Sequence, residues 1–186
     1  MALGDMFLKV ESARQGAIKG EARDADHKDE IQILRWSWGM RAQTALGGAG
    51  PTGKTSVHEL SVVKRVDCAS TALMSAMRSN DLIKKVVLTV RKAGENPLEY
   101  LKVTLQSARI TAFDVESGAF GDEAELIENM SLAFQRINVE YVPQGTDGPP
   151  RGFTSFETEI VCACIFDLAF VLSLIGAVMD ELTMGD

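Results

Sequence analysis

Short segments in which apolar and polar residues alternate recur along the first 160 residues, and this pattern constrains the fold most strongly. Val86, Leu88 and Val90 share one face of such a segment, and a Gly- and Pro-containing turn at 93–97 separates it from the next. Seven or eight short strands of this kind are typical of a β-sandwich or a small barrel. The predicted strands are Met6–Val10, Gly16–Ala22, Ile31–Trp38, Val57–Val66, Val86–Lys92, Leu98–Leu105, Ser107–Val115 and Met130–Val142.

Two of these segments change phase, and one further segment has a helical period. The apolar positions of Ile31–Trp38 shift from odd to even numbers, which predicts a β-bulge, and Met130–Val142 shows a similar shift. Cys68–Arg78 carries an apolar stripe at helical spacing, with Asp67 as a candidate N-cap and Asn80 and Asp81 at its end. We therefore expect a mainly β protein, a small barrel or sandwich of two sheets with one short α-helix.

The composition changes abruptly near residue 160. Residues 160–186 contain four acids and no Lys or Arg, whereas the preceding 159 residues hold 19 bases and 22 acids and are nearly neutral. Seventeen of the twenty residues from Ile160 to Met179 are apolar, among them Phe166 and Leu172, and Asp167 interrupts the run. We predict a β domain over 1–159 and an apolar, helical C-terminal extension over 160–186. The extension has three interpretations that stay open: a membrane-active segment, a packed or interface helix, and an end not selected for function.

Charge and cysteine content exclude several classes of function. A net charge of −7 disfavours a nucleic-acid partner, because phosphates would be repelled. The three cysteines and the absence of a signal-peptide pattern favour synthesis in a reducing cytoplasm. Cys162 and Cys164 without a second pair or a nearby His make a poor metal site, so neither a metal nor a cofactor is predicted.

One motif suggests an enzyme. Residues 48–55 have the spelling of a phosphate-binding P-loop, which would place Lys54 and Thr55 on a nucleotide and its magnesium. A P-loop needs a helix directly after it, whereas Ser56–Val66 alternates like a strand. His27 and His58 have no nucleophile at a recognisable motif. The prediction is therefore a protein without an active site, with nucleotide hydrolysis as the less favoured alternative.

A series of segments, in order over about residues 5 to 159, resembles the hemolysin-coregulated protein (Hcp) family of type VI secretion systems. The Trp-Ser-Trp-Gly segment is the most specific of them. The segments include Asp5-Met6-Phe7-Leu8-Lys9, Gly20-Glu21, Glu30-Ile31-Gln32-Ile33-Leu34, Trp36-Ser37-Trp38-Gly39-Met40, Val90-Arg91-Lys92-Ala93-Gly94, Glu99-Tyr100-Leu101, Glu128-Asn129 and Val139-Glu140-Tyr141.

The resemblance implies a structural role. Hcp subunits are small β-barrels that form hexameric rings, and the rings stack into a tube that is expelled together with effectors held in its lumen. The implied partners are further copies of the chain, the sheath, spike and baseplate proteins, and small effector cargo. The implied route is from the bacterial cytoplasm to the outside without a signal peptide, and membrane contact by the extension is a separate question.

Two sets of residues are candidates for these roles. Alternation places Trp36 and Trp38 on the core side of their strand and Ser37 on the other side, which the resemblance orients towards the ring lumen. The long Gly-rich loop Arg41–Thr55 has little to bury and is the candidate ring-stacking element. A second long loop is expected over Glu116–Asn129, which has five acids and no base. The stacking candidates are Arg41, Gln43, Leu46, Gly48, Pro51 and Lys54.

Overall fold

The computed structural model describes residues 5–42, 55–92, 98–120, 123–143 and 152–160, with the backbone alone described at 118–120, 123 and 124. These residues form eleven strands and one helix, which confirms the mainly β fold. The helix α1 spans Ser70–Arg78. The strands are β1 Asp5–Ser12, β2 Gly16–Ile18, β3 Ile31–Ser37, β4 Met40–Ala42, β5 Thr55–Val57, β6 Leu60–Arg65, β7 Ile83–Arg91, β8 Glu99–Phe120, β9 Glu123–Ala133, β10 Arg136–Tyr141 and β11 Thr154–Glu159.

Six of the strands close into a barrel. They follow the order β8-β7-β1-β3-β6-β9, and β9 pairs in turn with β8, so the ring of strands has no free edge. All of these pairings are antiparallel. Inward-facing side chains from every barrel strand fill the interior, with Leu8, Leu60 and Leu88 fully buried.

The barrel can close because β8 serves two sheets in succession. Its first half pairs with β7 and β10, and from Arg109 onward it pairs with β9. The change occurs at Ser107, a non-glycine residue with a φ of 53°, which redirects the strand at this corner. The structure therefore joins into one strand the two strands that the sequence predicted over Leu98–Leu105 and Ser107–Val115.

Strands β10 and β11 extend the sheet beyond the barrel. β10 pairs with the first half of β8, β11 pairs with β10, and β11 is the outermost strand.

Helix α1 packs against the barrel core through one side. Leu73 and Ala76 on that side are buried in the core, while Met74 faces solvent. The predicted stripe is thus confirmed as the packing face of the helix.

Several predicted boundaries were wrong. The phase change in Met130–Val142 marks the break between two strands, β9 and β10, and not a bulge within one strand. The phase change in Ile31–Trp38 is a register shift between Ile33 and Arg35, as predicted for a bulge. Val57–Val66 divides into β5 and β6, and the helix begins at Ser70 with Ala69 as N-cap, although the Asp67 carboxylate accepts the Ala69 N–H at 3.0 Å.

The acidic segment Glu116–Asn129 is not a loop. The ends of β8 and β9 pair with each other from Glu116 opposite Ile127 to Phe120 opposite Glu123, and β6 reaches only as far as Ile127. We call the two-stranded projection over 116–120 and 123–127 the arm. Glu116 is paired with Ile127 and Gly118 with Glu125, so Glu116 and Glu125 lie on one face, and Ile127 is buried where the arm joins the barrel. The exposed Ser117 and Leu126 lie on the other face. The many acids of this segment led to the prediction of a loop.

Candidate assembly surfaces

A row of small side chains crosses four barrel strands on their outer face. Ser37 of β3 is paired with Ser61 of β6, Ser61 with Ser131 of β9, and Ser131 with Ala112 of β8. The Ser61 and Ser131 hydroxyls lie 3.2 Å apart and share a hydrogen bond. Ser37 is exposed and the other three are partly exposed, so the row is open to solvent. We call this set the serine row.

Charged and polar residues flank the row. On one side, paired positions place Arg35 and Asp114 at the two ends of the next line of side chains. On the other side, the Thr111 hydroxyl donates to Glu59 at 2.8 Å. An open groove of about 510 Å³ is lined by the serine row, Arg35, Asp114 and their neighbours. The surface is therefore open, with hydroxyl groups along the serine row and charged groups at the borders.

The two tryptophans lie on the opposite side of β3 from Ser37, as the alternation predicted. Trp36 is paired with the buried Val62, and both indoles pack against the core, but each is only partly buried. Trp38 lies just past the end of β3, and its ring centroid is 6.4 Å from that of Phe156 on β11. Both tryptophans thus face the core side, but neither is a fully buried core residue.

The predicted stacking loop emerges from a two-stranded hairpin. Arg41 on β4 is exposed and is paired with Ser56 on β5, whose hydroxyl donates to the Arg41 carbonyl at 3.2 Å. Thr55 opens β5, a strand, whereas a P-loop would begin a helix here. The remaining candidates for stacking lie outside the described residues, namely Gln43, Leu46, Gly48, Pro51 and Lys54.

The predicted extension begins from a defined position. The Ile160 N–H donates to the Gln135 carbonyl at 2.6 Å, and the Ile160 side chain packs against the core. Phe166, Asp167 and Leu172 lie outside the described residues. Within the described part of the chain, no helix is long and apolar enough to cross a membrane.

Sequence reasoning missed a cluster that attaches the segment between β2 and β3 to the outer face of the barrel. The His27 ring stacks on Phe7 with centroids 4.3 Å apart, and the Arg91 guanidinium lies 5.3 Å from the centre of the Phe7 ring. Arg91 also donates to Asp5 at 3.0 Å and to Asp24 at 3.1 Å. Hydrogen bonds from Arg91 lower the pKa of Asp24 to about 2, and the same bonds raise the pKa of Arg91.

His27 is buried between two carboxylates. Its Nδ1 lies 2.9 Å from Glu30, and its Nε2 lies 3.3 Å from Glu99 without the alignment of a hydrogen bond. The sequence placed His27 in a charged stretch and gave no sign of its burial. Its surroundings are those of a structural histidine, because the ring stacks on Phe7 and Nδ1 contacts Glu30.

A second missed cluster is an ion pair inside the barrel. Lys64 and Glu128 are both fully buried, with Nζ and a carboxylate oxygen 2.6 Å apart, although the approach is not that of a linear hydrogen bond. Lys64 also donates to Asp67 at 2.7 Å, to the Arg65 carbonyl at 2.9 Å and to the Ser70 hydroxyl at 3.1 Å. The cluster joins β6, β9 and the start of α1, so it is part of the framework.

The described residues include no candidate metal site. No cluster of three or more metal-ligating side chains is present in that part of the chain. His58 is exposed on the connection between β5 and β6, and the exposed Cys68 thiol has a pKa raised by partial burial and by Asp67 and Glu21. A thiol with a raised pKa is a weak nucleophile.

The closed barrel, its single helix and its order of strands can be compared with known proteins. Residues 7–141 match the protein family described as "Type VI secretion system effector, Hcp". The chain belongs to the Hcp family. It is 40% identical over 151 residues to the protein hcp1 of Pseudomonas aeruginosa, and the alignment covers 80% of this chain and 89% of that protein.

Solved Hcp structures have the same fold. Hcp1 from Salmonella typhimurium aligns with a TM-score of 0.68 and 32% identity over 85% of this chain and 95% of that one. A type VI secretion system effector from Yersinia pestis aligns with a TM-score of 0.64 and 31% identity over 84% of this chain and 100% of that one. This Hcp-family chain is therefore a type VI secretion protein, from a family of secreted structural proteins.

Proposed function

We propose that this chain is the tube subunit of a type VI secretion system, assembling into hexameric rings that stack and are expelled. The observation that carries the proposal is the serine row on the outer face of a closed barrel. Closure leaves the six barrel strands no free edge, so in the proposed ring the copies associate through faces, projections or the edge strand β11. The serine row offers one such face, an open groove with small side chains and hydroxyl groups along the row.

In the proposed ring, the serine row faces the lumen. Small side chains keep the bore wide, and hydroxyls stay hydrated when no cargo is present. Ser37 is the most exposed serine of the row, and the open groove beside it would hold surface groups of a small effector. Arg35 and Asp114 at the borders would select the charge pattern of that cargo.

The β4–β5 hairpin is the proposed contact between stacked rings. Both strands are short, and Met40 and Arg41 are exposed on β4. The loop that they carry, with Gln43, Leu46, Gly48, Pro51 and Lys54, would reach the adjacent ring. The ordering of this loop would be offset by the surface buried between rings.

The remaining parts of the proposal concern partners and route. The tube would be enclosed by a sheath, carry a spike at its tip and be built on a baseplate. The subunit would be made in the bacterial cytoplasm and exported by the machine itself. Residues 1–159 would form the assembling domain, and residues 160–186 would be an addition to it.

The ring is tested by size exclusion and negative-stain microscopy of the purified chain. Six copies in a closed ring are expected, and a stable monomer would contradict the proposal. Ser37→Gln should preserve the ring and lower the amount of cargo that co-purifies. Ser155→Gln, at an exposed serine of β11 outside the row, is the matched control and should retain cargo. Equal cargo in both variants would rule out a lumen role for Ser37.

A second candidate function is a membrane-active extension fused to the tube subunit. It is favoured by the seventeen apolar residues among the twenty at 160–179. A charge near the centre of a membrane helix is costly, so Asp167→Leu should increase partition into liposomes and lower the soluble yield. Unchanged yield of a soluble ring would show that the extension is already buried and that this second function is wrong.

A further inference from the structure

The sheet beyond the barrel has an apolar face that the described residues leave partly open. Tyr141 of β10 and Phe156 of β11 point to the same side as the core residues, yet they are 44% and 43% exposed. Trp38 lies beside Phe156 and is also only partly buried. We call Trp38, Tyr141 and Phe156 the aromatic patch.

The chain leaves the barrel along this face. Phe156 and Ile160 are four residues apart, so they lie on the same side of the extended chain, about 13 Å from each other at the rise of a β-strand. The Ile160 N–H is held by Gln135, and its side chain packs against the core. The segment that follows therefore starts from a fixed point about 13 Å from Phe156, on the same face of the sheet.

The segment itself requires cover. Of the twenty residues at 160–179, seventeen are apolar, and residues 160–186 contain no Lys or Arg that would keep them in water. Only four residues separate Phe156 in the open apolar face from Ile160 at the start of the apolar segment. This short connection gives the segment a high effective concentration at the face, on the order of millimolar.

We propose that residues 161–179 dock on the aromatic patch of their own chain and are shielded there while the protein is in solution. Size favours this occupant over a second copy. Three partly exposed side chains fall well short of the roughly 800 Å² per partner that a stable protein interface buries. A tethered segment needs less area because it loses less translational freedom on binding. The proposal does not depend on ring assembly, and docking in solution is compatible with later entry into a membrane.

The cysteines provide the test. Cys162 and Cys164 lie in the proposed docked segment, whereas Cys68 is exposed on the barrel and serves as an internal control. Alkylation of the full chain by iodoacetamide is followed for each cysteine by mass spectrometry and compared with the rate in urea. Docking should protect at least one of the two segment thiols at least about tenfold.

Point variants then locate the docking surface. Phe156→Ser should reduce this protection several-fold and leave the Cys68 rate unchanged. Tyr141→Ser on the neighbouring strand should have the same effect. It is the variant to use if Phe156→Ser does not fold. Leu126→Ser removes a similarly exposed apolar side chain from the arm, 56% exposed, and should change nothing.

Three results would overturn the proposal. Equal protection in the parent and in both patch variants would place the segment elsewhere. Protection that rises with protein concentration would assign the patch to a second copy. Segment thiols that react freely in solution, and are protected only by added phospholipid vesicles, would show that the segment is not docked before it meets a membrane.

Discussion

Replacing Lys64 by Met should be the most damaging single change in the barrel. The side chain of Lys64 has no exposure to solvent and contacts Glu128, which has none either, at 2.6 Å. Without the ammonium group, Glu128 is a buried charge with no partner, and breaking such a pair costs about 3–5 kcal/mol. That loss is a large fraction of the stability of a typical domain, which is about 5–15 kcal/mol.

An adjacent ion pair supplies the control. Arg65 and Glu125 lie on the same two strands with the same 2.6 Å separation, but their side chains are 50% and 26% exposed. Water screens this pair, so Arg65→Met should cost less than about 1 kcal/mol. Each variant removes the cation of an ion pair, and the two pairs have equal N–O distances but different burial. The difference between their losses in the free energy of unfolding therefore measures the effect of burial.

The double variant Lys64→Met/Glu128→Leu should recover most of the lost stability. It replaces two buried charges with apolar groups of similar size, which is often neutral. Asp67 is 11% exposed and keeps its hydrogen bond from the Ala69 N–H. Urea unfolding followed by tryptophan fluorescence, at one fixed protein concentration, measures all four proteins. The reasoning is refuted if Lys64→Met loses no more than Arg65→Met, or if the double variant is as unstable as the single one.

Three further predictions concern other parts of the chain. Because Arg91 lowers the pKa of Asp24 from 3.8 to about 2, this pair stabilises the fold above pH 3.8 and the contribution is lost as the pH falls towards 2. In Asp24→Asn, the urea midpoint should change less with pH over that range than it does in the parent protein. An equal change with pH in both proteins would contradict the assignment. Gly20→Ala would place a Cβ 2.6 Å from the Ile31 Cα and should cost about 1–3 kcal/mol in the same assay, unless the Glu30 segment moves freely. Replacing Leu46–Lys54 by a two-residue turn should spare single rings but reduce tube growth in electron micrographs, and unchanged growth would exclude the loop from stacking.

Local sequence pattern predicted the fold class but not the type of each irregularity. A phase change by one residue meant a bulge near Ile33 and a chain reversal after Ala133, because both shift the apolar positions in the same way. The arm was missed for a different reason. The five acids of Glu116–Asn129 indicated a solvent-exposed loop, whereas the strands are defined by their pairing with each other.

The candidate surfaces, too, could be predicted only where local sequence pattern was enough. The outward direction of Ser37 follows from its neighbours Trp36 and Trp38. Its partners in the serine row do not, because Ser61 and Ser131 are 70 residues apart and meet only through the strand register. Register between distant strands depends on closure of the whole barrel, which a single sequence does not encode locally.

The buried ion pair was open to prediction. Lys64 is in phase with the inward-facing Leu60 and Val62, and Glu128 is in phase with Met130 and Leu132. One positive and one negative residue at inward positions of two strands point to a pair inside the core. Reading every charged residue as surface concealed it.

The continuity of β8 has a mechanical consequence. The 22-residue strand turns at Ser107 and continues from the sheet, through the barrel wall and into the arm. A pull on β8 at the arm, along the part after Ser107, loads its hydrogen bonds to β9 in shear, so many must break together. A pull on β11, by contrast, peels a six-residue edge strand away from β10 one bond at a time. The barrel should therefore resist force applied at the arm far better than force applied at residue 160.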